Sequence, residues 1–339
     1  MKKKSKLRQA LQFVLFFGLG LGLMYWQFSG FDAKQKEDFF TALRTADYKW
    51  FVLAVFVGAL AHLSRAIRWQ QLLISLNRKA GLGNRFYAVM IGYLANYGLP
   101  RSGEFVRGGL LLESDNVPFS EAFGTIVVER IVDTLCLLIV FLLVLLFEFS
   151  QLQTLWVQYI WKPMSTKVSA LAGNTTTLLI LVTCVILFAT ILIFFRKKIG
   201  NFFTGKLGSF ITGFKNGILS VRKVPRPGWF IFHYLFIWSC YLLSLYLCFF
   251  CFPLTAALTI NDALAILLFG TFGVIFTPGG IGLYQIIVTS IIALLLHLEV
   301  NSQAAAPFAW LSWGAQVATV ILFSGIAVII KQLLNRISK

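Results

Sequence analysis

The chain has 339 residues, of which 58% are hydrophobic and only 13% are charged. This composition lies far outside the range of soluble domains, so the chain is expected to be an integral membrane protein. The formal net charge of +17 would otherwise suggest a nucleic-acid-binding protein, an interpretation that the placement of the charges argues against.

Apolar runs of spanning length predict membrane helices, because about 20 residues are needed to cross the hydrocarbon core. The first run is long for a signal peptide and is followed by no small-residue cleavage site, so it is predicted to be a retained anchor. In chain order, the six runs cover residues 11–28, 51–74, 122–147, 176–195, 229–253 and 304–330.

Two further apolar stretches, 84–112 and 262–297, are interrupted by Pro100 and by the sequence TPGGIG at 277–282. Each half has only about 13 to 17 residues, too few for a comfortable span. Lipid cannot satisfy backbone polar groups that leave a helix, so re-entrant hairpins buried in protein are expected. The predicted fold is an all-α polytopic membrane protein, with six spans and two broken re-entrant helix pairs. We expect one domain over residues 1–339, with no soluble catalytic domain.

The basic residues are concentrated on one side of the predicted membrane topology. If each broken stretch enters and leaves on one side, segments 1–8, 75–85, 113–118, 196–228 and 331–339 together hold 19 Lys and Arg residues but only two acids. An excess of Lys and Arg is typical of cytoplasmic loops. Both termini are therefore predicted to be cytoplasmic, in a cell membrane such as a bacterial inner membrane. Topology explains the charge, and no nucleic-acid partner is expected.

Nine charged residues remain inside the hydrophobic segments, and none of them is a lysine. Such charges are costly in a membrane and usually face partners or a cavity. Arginine binds carboxylate or phosphate with a planar fork, so a lipid phosphate is a candidate ligand. The nine residues are Arg65, Arg68, Arg101, Glu104, Arg107, Glu121, Glu129, Arg130 and Asp133.

Glu129 and Asp133 are four residues apart on one predicted helix, so they share a face, with Arg130 beside it. One interpretation is a structural ion-pair cluster that holds this helix against Arg101 or Arg107. The other is that the same cluster lines a polar path for a headgroup or a proton. The two interpretations are compatible, and both stay open at the level of sequence.

The stretch after Pro100 has the pattern of an anion site. A helix that begins there would leave the amides of Ser102 and Gly103 free at its positive end, and Arg101 would strengthen the attraction for an anion. Glu104 and Arg107 follow in the same arc of that helix. The alternative is a glycine-rich bend that only permits close packing of helices.

The second interruption has a similar bend without charges, at Gly279 and Gly280. It suits close approach of a substrate, although packing alone would explain it equally well. Turn-type residues also recur at an interval of 178 residues, which suggests an inverted repeat with a transport site near the midplane. The pairs are Asn84 and Asp262, Gly92 and Gly270, and Pro100 and Pro278.

Two further polar residues lie on the face of the second span that carries Arg65. Arg68, next to Trp69, is expected to extend towards the cytoplasmic interface, whereas His62 is deeper and could join the polar path. The histidines have no metal-ligand spacing, and the sequence contains no nucleotide-binding loop. We expect no metal and no cofactor.

Three segments, NYGLPRSGEFVRGGLLLE, AFGTIVVERIVDTL and FTPGGIGLYQ, resemble the signature regions of the lysylphosphatidylglycerol synthase transmembrane, or flippase-like, family. The resemblance runs from about residue 10 to 330. It implies a polytopic domain that moves a lipid or lipid-linked headgroup between leaflets. The aminoacyl transferase domain of bifunctional members is not expected here, so synthase activity is not inferred.

The predicted function is transport of a lipid or lipid-linked anionic headgroup between leaflets, without enzymatic activity. The alternatives are a membrane enzyme on a phospholipid or polyprenyl phosphate, with Glu129 or Asp133 as general base, and a non-transporting accessory subunit. The expected partners are the membrane and a phospholipid or lipid-linked substrate. The predicted substrate-binding residues are Arg101, Ser102, Gly103, Glu104, Arg107, Glu129, Arg130, Asp133, Gly279 and Gly280.

Overall fold

The structure is a computed structural model that describes residues 18–99, 101–155, 216, 219–299 and 302–337. Within these ranges every regular element is a helix, so the all-α fold class is confirmed. The predicted span 176–195 lies outside the described residues, as does Pro100, and the predicted anchor 11–28 is described only from residue 18 onwards.

Short connections join the helices from α1 to α6 and from α7 to α10. A 3-10 turn at Ser220–Lys223 precedes α7, and a second one at Pro278–Gly280 joins α8 to α9. The helices are α1 (residues 18–29), α2 (Ala33–Thr45), α3 (Tyr48–Ile74), α4 (Leu82–Gly98), α5 (Ser102–Asp115), α6 (Phe119–Leu155), α7 (Pro227–Phe249), α8 (Ile260–Phe276), α9 (Leu283–Leu295) and α10 (Ala306–Ile337).

Four helices of the described part are long and apolar enough to cross a membrane. They are α3, α7, the part of α6 at Phe119–Phe147 and the part of α10 at Ala306–Leu333. They coincide with four of the six runs that the sequence predicts. The protein is therefore a multi-pass membrane protein, while the full number of spans stays a prediction.

The chain divides into two compact units, one made of Met1–Val144 and Phe214–Lys339 and the other of Leu145–Gly213. In the first unit α3 packs along α7 and α10, and α10 also contacts α4. The buried side chains of Trp69, Val89, Ile126 and others form an apolar cluster between α3, α4, α5, α6 and α7. This packing fixes α3, α4, α5 and the start of α6 around one interior region.

The helices α4 and α5 form a tight pair because two glycines meet at their crossing. A methyl group on Gly103 would overlap the carbonyl oxygen of Gly92, and one on Gly92 would lie 2.5 Å from Cγ of Arg107. Small residues are what allow helix backbones to approach so closely in membrane proteins. The predicted packing role of this glycine-rich stretch is therefore present in the structure.

The pair α8 and α9 is built in the same way. A methyl group on Gly270 would lie 2.8 Å from the ring of Tyr284, and one on Gly273 would lie 2.7 Å from its Cα atom. Gly279, in the connecting turn, has a φ of 58°, a conformation that glycine adopts without steric cost. The absence of a side chain on Gly270 and Gly273 thus leaves the space that Tyr284 of α9 occupies.

The two helix pairs are in register along the chain. Helices α4 and α8 each have 17 residues, and both their first and their last residues are 178 positions apart. Arg101 (φ 61°, ψ 9°) and Gly279 (φ 58°, ψ 19°) are separated by the same interval and share the left-handed conformation. The repeat read from three residue pairs in the sequence therefore has a counterpart in the backbone.

The glycine contact leads to a stability prediction with a matched control on the same helix. The substitution Gly103→Ala is expected to destabilise the protein by about 1–3 kcal/mol, because the new methyl group must push α5 away from α4. At Gly109 nothing lies within 4 Å of an added methyl, so Gly109→Ala should be neutral or stabilising by up to about 1 kcal/mol. Thermal unfolding in detergent measures both, and equal midpoints would contradict the packing role.

Candidate functional site

The centre of the polar interior is the carboxylate of Glu129, which is completely buried. Helix α6 begins at Phe119, so Glu129 lies about 15 Å further along its axis at a rise of about 1.5 Å per residue. Asp133 follows one turn later on the same face, and its side chain is 15% exposed. Both acids therefore face the helices packed against α6.

Three arginines from two other helices converge on Glu129. The fork of Arg107, on α5, donates from Nη1 to Oε1 at 3.1 Å and from Nη2 to Oε2 at 2.8 Å. From α3, Arg65 Nη1 donates to Oε1 at 2.9 Å, and Arg68 Nη2 lies 3.2 Å from the same oxygen. The hypothesis that Glu129 or Asp133 pairs with Arg101 or Arg107 thus holds for Arg107.

Asp133 extends the cluster towards the surface of the helix bundle. Its Oδ2 atom lies 2.9 Å from Arg65 Nη1 and 3.3 Å from Arg130 Nη2. The described cluster then contains four arginines and two acids, which leaves two positive charges without a carboxylate. We call these six residues the arginine cluster: Arg65, Arg68, Arg107, Glu129, Arg130 and Asp133.

Aromatic rings accept part of this excess charge. The guanidinium of Arg68 lies 3.7 Å from the ring centroid of Tyr234, and that of Arg107 lies 4.4 Å from the ring of Trp69. Cations in such positions are attracted by the electron-rich face of the ring, more strongly when they are desolvated. Even so, Nε and Nη1 of Arg68 find no hydrogen-bond acceptor among the described residues, and the ion-pair contact of Nη2 with Glu129 lacks hydrogen-bond geometry. Buried donors in native proteins normally have one.

The expected extension of Arg68 towards the membrane interface is wrong. Its side chain is fully buried, because Glu129 and Tyr234 offer it closer partners inside the protein than the interface does. His62 is also buried and lies against Tyr93, with ring centroids 4.6 Å apart. Its participation in a polar path remains a prediction.

A narrow crevice leads to the arginine cluster from the crossing of α4 and α5. It holds a volume of about 10 Å³, room for roughly one water molecule. Within it, Oε2 of Glu104 is buried and accepts no hydrogen bond from the described residues. The crevice is lined by Gly92, Tyr93, Asn96, Gly103, Glu104, Arg107 and Arg130.

The amides at the start of α5 are not free, contrary to expectation. The N–H of Ser102 donates to the carbonyl oxygen of Leu99 at 3.1 Å, and the N–H of Gly103 donates to Oδ1 of Asn96 at 2.8 Å. The side chain of Asn96 reaches over from α4 and caps the next helix, a role for which asparagine is well suited. Arg101, at the cap position, is exposed.

The second bend meets the first helix pair directly. A side chain on Gly279 would overlap the ring of Tyr97 near the end of α4, and the carbonyl oxygen of Gly279 accepts a hydrogen bond from Trp313 Nε1 at 2.8 Å. Gly280 is buried beside it. The bend therefore packs closely, as one of the two interpretations expects, and its predicted contact with a substrate remains a prediction.

Sequence reasoning did not include Arg65 and Arg68 in the predicted site, although it singled both out as charges inside the membrane. Their spacing of three residues on α3 places them on one face, which was the available signal. The partners Tyr234 and Tyr241 carried no such signal. The hydroxyl of Tyr241 accepts from Arg65 Nη2 at 3.2 Å, across 176 residues of chain.

The fold and the buried charges define a multi-pass helical membrane protein with a polar interior. A family model described as Lysylphosphatidylglycerol synthase TM region matches residues 9–324. The chain belongs to this family, and the resemblance noted in the sequence is confirmed. The family points to a membrane protein that acts on lipids. Searches of curated proteins and of solved structures gave no match.

The burial of Glu129 predicts a large stability effect. Glu129→Gln removes the negative charge that Arg65, Arg68 and Arg107 share, and breaking a buried pair costs about 3–5 kcal/mol. Combining it with Arg68→Gln should restore part of the loss, because one stranded cation is then removed. Unfolding midpoints of the single and double variants measure this effect.

A matched control is the ion pair between Glu121 and Arg78, which lies just after α3. Arg78 donates two hydrogen bonds to Glu121, at 2.8 and 3.2 Å, and these bonds raise the pKa of Arg78. Because the Arg78 side chain is 40% exposed, Glu121→Gln should cost at most about 1 kcal/mol. Equal losses for Glu121→Gln and Glu129→Gln would contradict the central role of Glu129.

Proposed function

We propose that the protein moves a lipid with an anionic headgroup between the two leaflets of the membrane. The observation that carries the proposal is the arginine cluster, in which four arginines face two carboxylates inside the helix bundle. Arginines at membrane depth are expensive and mark substrate pathways more often than lipid-facing surfaces. A lipid phosphate supplies the negative charge that the cluster lacks.

The choice of arginine over lysine also favours phosphate as the ligand. All four cations are arginines, whose planar fork forms two parallel hydrogen bonds to carboxylate or phosphate oxygens. Nε and Nη1 of Arg68 have no hydrogen-bond acceptor among the described residues, and Nη2 has only the ion-pair contact with Glu129. A phosphate that approached through the crevice would first meet Arg130 and Arg107, because both line it. Arg101, Ser102 and Gly103 would then form the rim of the site.

Access requires movement of the helix pairs. The crevice is too small for a headgroup as it stands, so α4 and α5 must separate for the substrate to enter. Glu104 would be exposed by this movement, and it is suited to contact a cationic or hydroxyl part of the headgroup. Tyr97 and Gly279, where the two pairs touch, would separate or slide in the same step.

The repeat in the backbone supports a transporter architecture. Helix α7 begins 179 residues after α3, and each of the two is followed by a broken pair in register. In the proposed topology the pairs α4–α5 and α8–α9 are re-entrant and enter from opposite sides, with both termini in the cytoplasm. Paired broken helices in inverted repeats bind substrates near the midplane in secondary transporters.

An enzymatic role for Glu129 fits the geometry less well. Both of its oxygens already accept hydrogen bonds from arginines, so neither is positioned to take a proton from a substrate. A general base needs a free oxygen within hydrogen-bond reach of the proton that it abstracts. Glu129 is therefore better suited to hold the arginines in place than to act as a general base.

The proposal predicts slower lipid translocation when the arginine fork at the crevice is lost. Arg130→Lys keeps the charge but loses the two-pronged geometry, so flipping of fluorescent phosphatidylglycerol in reconstituted vesicles should slow several-fold, with Arg130→Gln slower still. Arg44→Lys, at an exposed position of α2, is the control. Parental rates in folded Arg130 variants would argue against the cluster as a phosphate site.

Arg101 allows a separate test without a risk to folding. Its side chain is exposed, so Arg101→Lys and Arg101→Gln should unfold at the parental midpoint. We expect slower translocation in Arg101→Lys and a larger loss in Arg101→Gln, in the same vesicle assay. If both translocate lipid at the parental rate, Arg101 is not part of the substrate path.

A further inference from the structure

A larger cavity of about 340 Å³ lies at the other end of the helix bundle. It is enclosed by α2, the segment 251–255 after α7 and the segment 302–308 at the start of α10. The N–H of Asp47, just before α3, donates to the carbonyl oxygen of Cys251. Arg65 therefore lies about 27 Å further along α3, at about 1.5 Å per residue. This outer cavity is distinct from the arginine cluster.

Its size and its aromatic side chains are those of a small-molecule site. Binding pockets typically enclose about 300 to 1,000 Å³ and combine apolar walls with a few polar groups. Phe39, Phe252 and Phe308 line the cavity, together with proline and leucine side chains. These three rings are at most 5% exposed, whereas Leu254 is 40% exposed and offers an apolar surface to a ligand.

The polar side chains that line the cavity are hydrogen-bond acceptors and side-chain amides. The described residues around the cavity include no cation. The hydroxyl of Thr45 donates to the carbonyl oxygen of Thr41 at 2.9 Å, and that of Thr255 donates to the carbonyl oxygen of Phe249 at 2.7 Å. The exposed Thr45 hydroxyl therefore offers its oxygen to the cavity as an acceptor, whereas Thr255 is fully buried. The carboxylate of Asp38 adds two more acceptor oxygens.

Amide groups supply the complementary donors. The oxygen of Gln35 accepts the N–H of Asp32 at 3.0 Å, which leaves its NH₂ group as the part that serves a ligand. A ligand for this lining must both donate and accept hydrogen bonds and must have an apolar face. Phosphate is unsuitable, because Asp38 repels it and the described lining contains no arginine or lysine.

We propose that the outer cavity binds an uncharged, hydroxyl-rich group, either the sugar or polyol headgroup of a lipid or a free sugar. Hydroxyl groups of the ligand donate to Asp38 and Thr45, and their oxygens accept from Gln35. The C–H face of the ligand packs on the apolar part of the lining, where Leu254 is exposed. Binding here does not require translocation, so the inference is independent of the proposed function and can fail separately.

Thermal unfolding of the protein in phosphatidic acid nanodiscs, whose lipid has neither a sugar nor a cationic headgroup, tests the site. Glucosyl diacylglycerol in the nanodisc should raise the unfolding midpoint by several degrees if the source is a lipid headgroup, because a ligand that binds only the folded state stabilises it. Free methyl glucoside should raise it if the source is a soluble sugar. Either result supports the proposal and identifies the source.

Two variants assign the shift to the cavity. Ala42→Phe fills the cavity without removing a polar group and should abolish the shift, whereas Ala33→Phe, at an exposed position of the same helix that does not line the cavity, should keep it. If Ala42→Phe does not fold, Asp38→Asn should reduce the apparent affinity several-fold. A shift that survives both Ala42→Phe and Asp38→Asn would overturn the proposal.

The absence of any shift with both sugars would also overturn it. A trimethylammonium-headed lipid is the third probe, and it should produce no shift. If it stabilises the parent protein more than glucosyl diacylglycerol does, and if Asp38→Asn removes that effect, the cavity binds cations and the proposal is wrong. Arg130→Gln should leave all these results unchanged, since Arg130 lines the other cavity.

Discussion

The buried carboxylate of Glu129 is the constraint on which the interior of this protein depends. It is held by arginines from α3 and α5, so three helices are tied to one side chain that has no contact with water. A buried ion pair by itself is weak evidence of stability, because desolvation offsets much of its attraction. Its effect is to fix where the helices meet, since a shift of α5 would leave Arg107 buried without its carboxylate partner. The excess of arginines around it then makes the interior positive.

The proposed function requires α4 and α5, beside this centre, to separate at their glycine crossing. Gly92 and Gly103 bring α4 and α5 into backbone contact, so no interlocking side chains at that point must be repacked when the helices separate. The crevice that leads to Arg107 and Arg130 lies at this same crossing. In the proposed transport function, a fixed cluster of charges lies beside a pair of helices that separate, as alternating access in secondary transporters requires. The outer cavity adds a second place, at the other end of the bundle, where a polar group could be held.

Much of the fold could be predicted from the sequence, because its signals are local. Apolar runs mark α3, α6, α7 and α10, and the breaks at 277–282 and after Gly98 separate the short helices at the expected places. The pairing of Arg107 with Glu129 followed from the cost of isolated charges in a membrane. The capping of Gly103 by Asn96 was not predictable, because it depends on the angle at which α4 and α5 cross. The burial of Arg68 depends on Tyr234, 166 residues further along the chain, and the outer cavity combines three distant segments, so neither has a signature in the local pattern.

The central claim is that the arginine cluster holds the anionic headgroup of a lipid, and native mass spectrometry of the mildly purified protein tests it most directly. Lipids that remain bound after purification from a mixed membrane are identified and compared with the bulk lipid composition. The account predicts that the parent protein retains an anionic phospholipid or polyprenyl phosphate above its bulk share, and that Arg130→Gln loses this enrichment while the Arg44→Lys control keeps it. Bound lipids in the bulk proportions, or the same enrichment in folded Arg130→Gln, would contradict it.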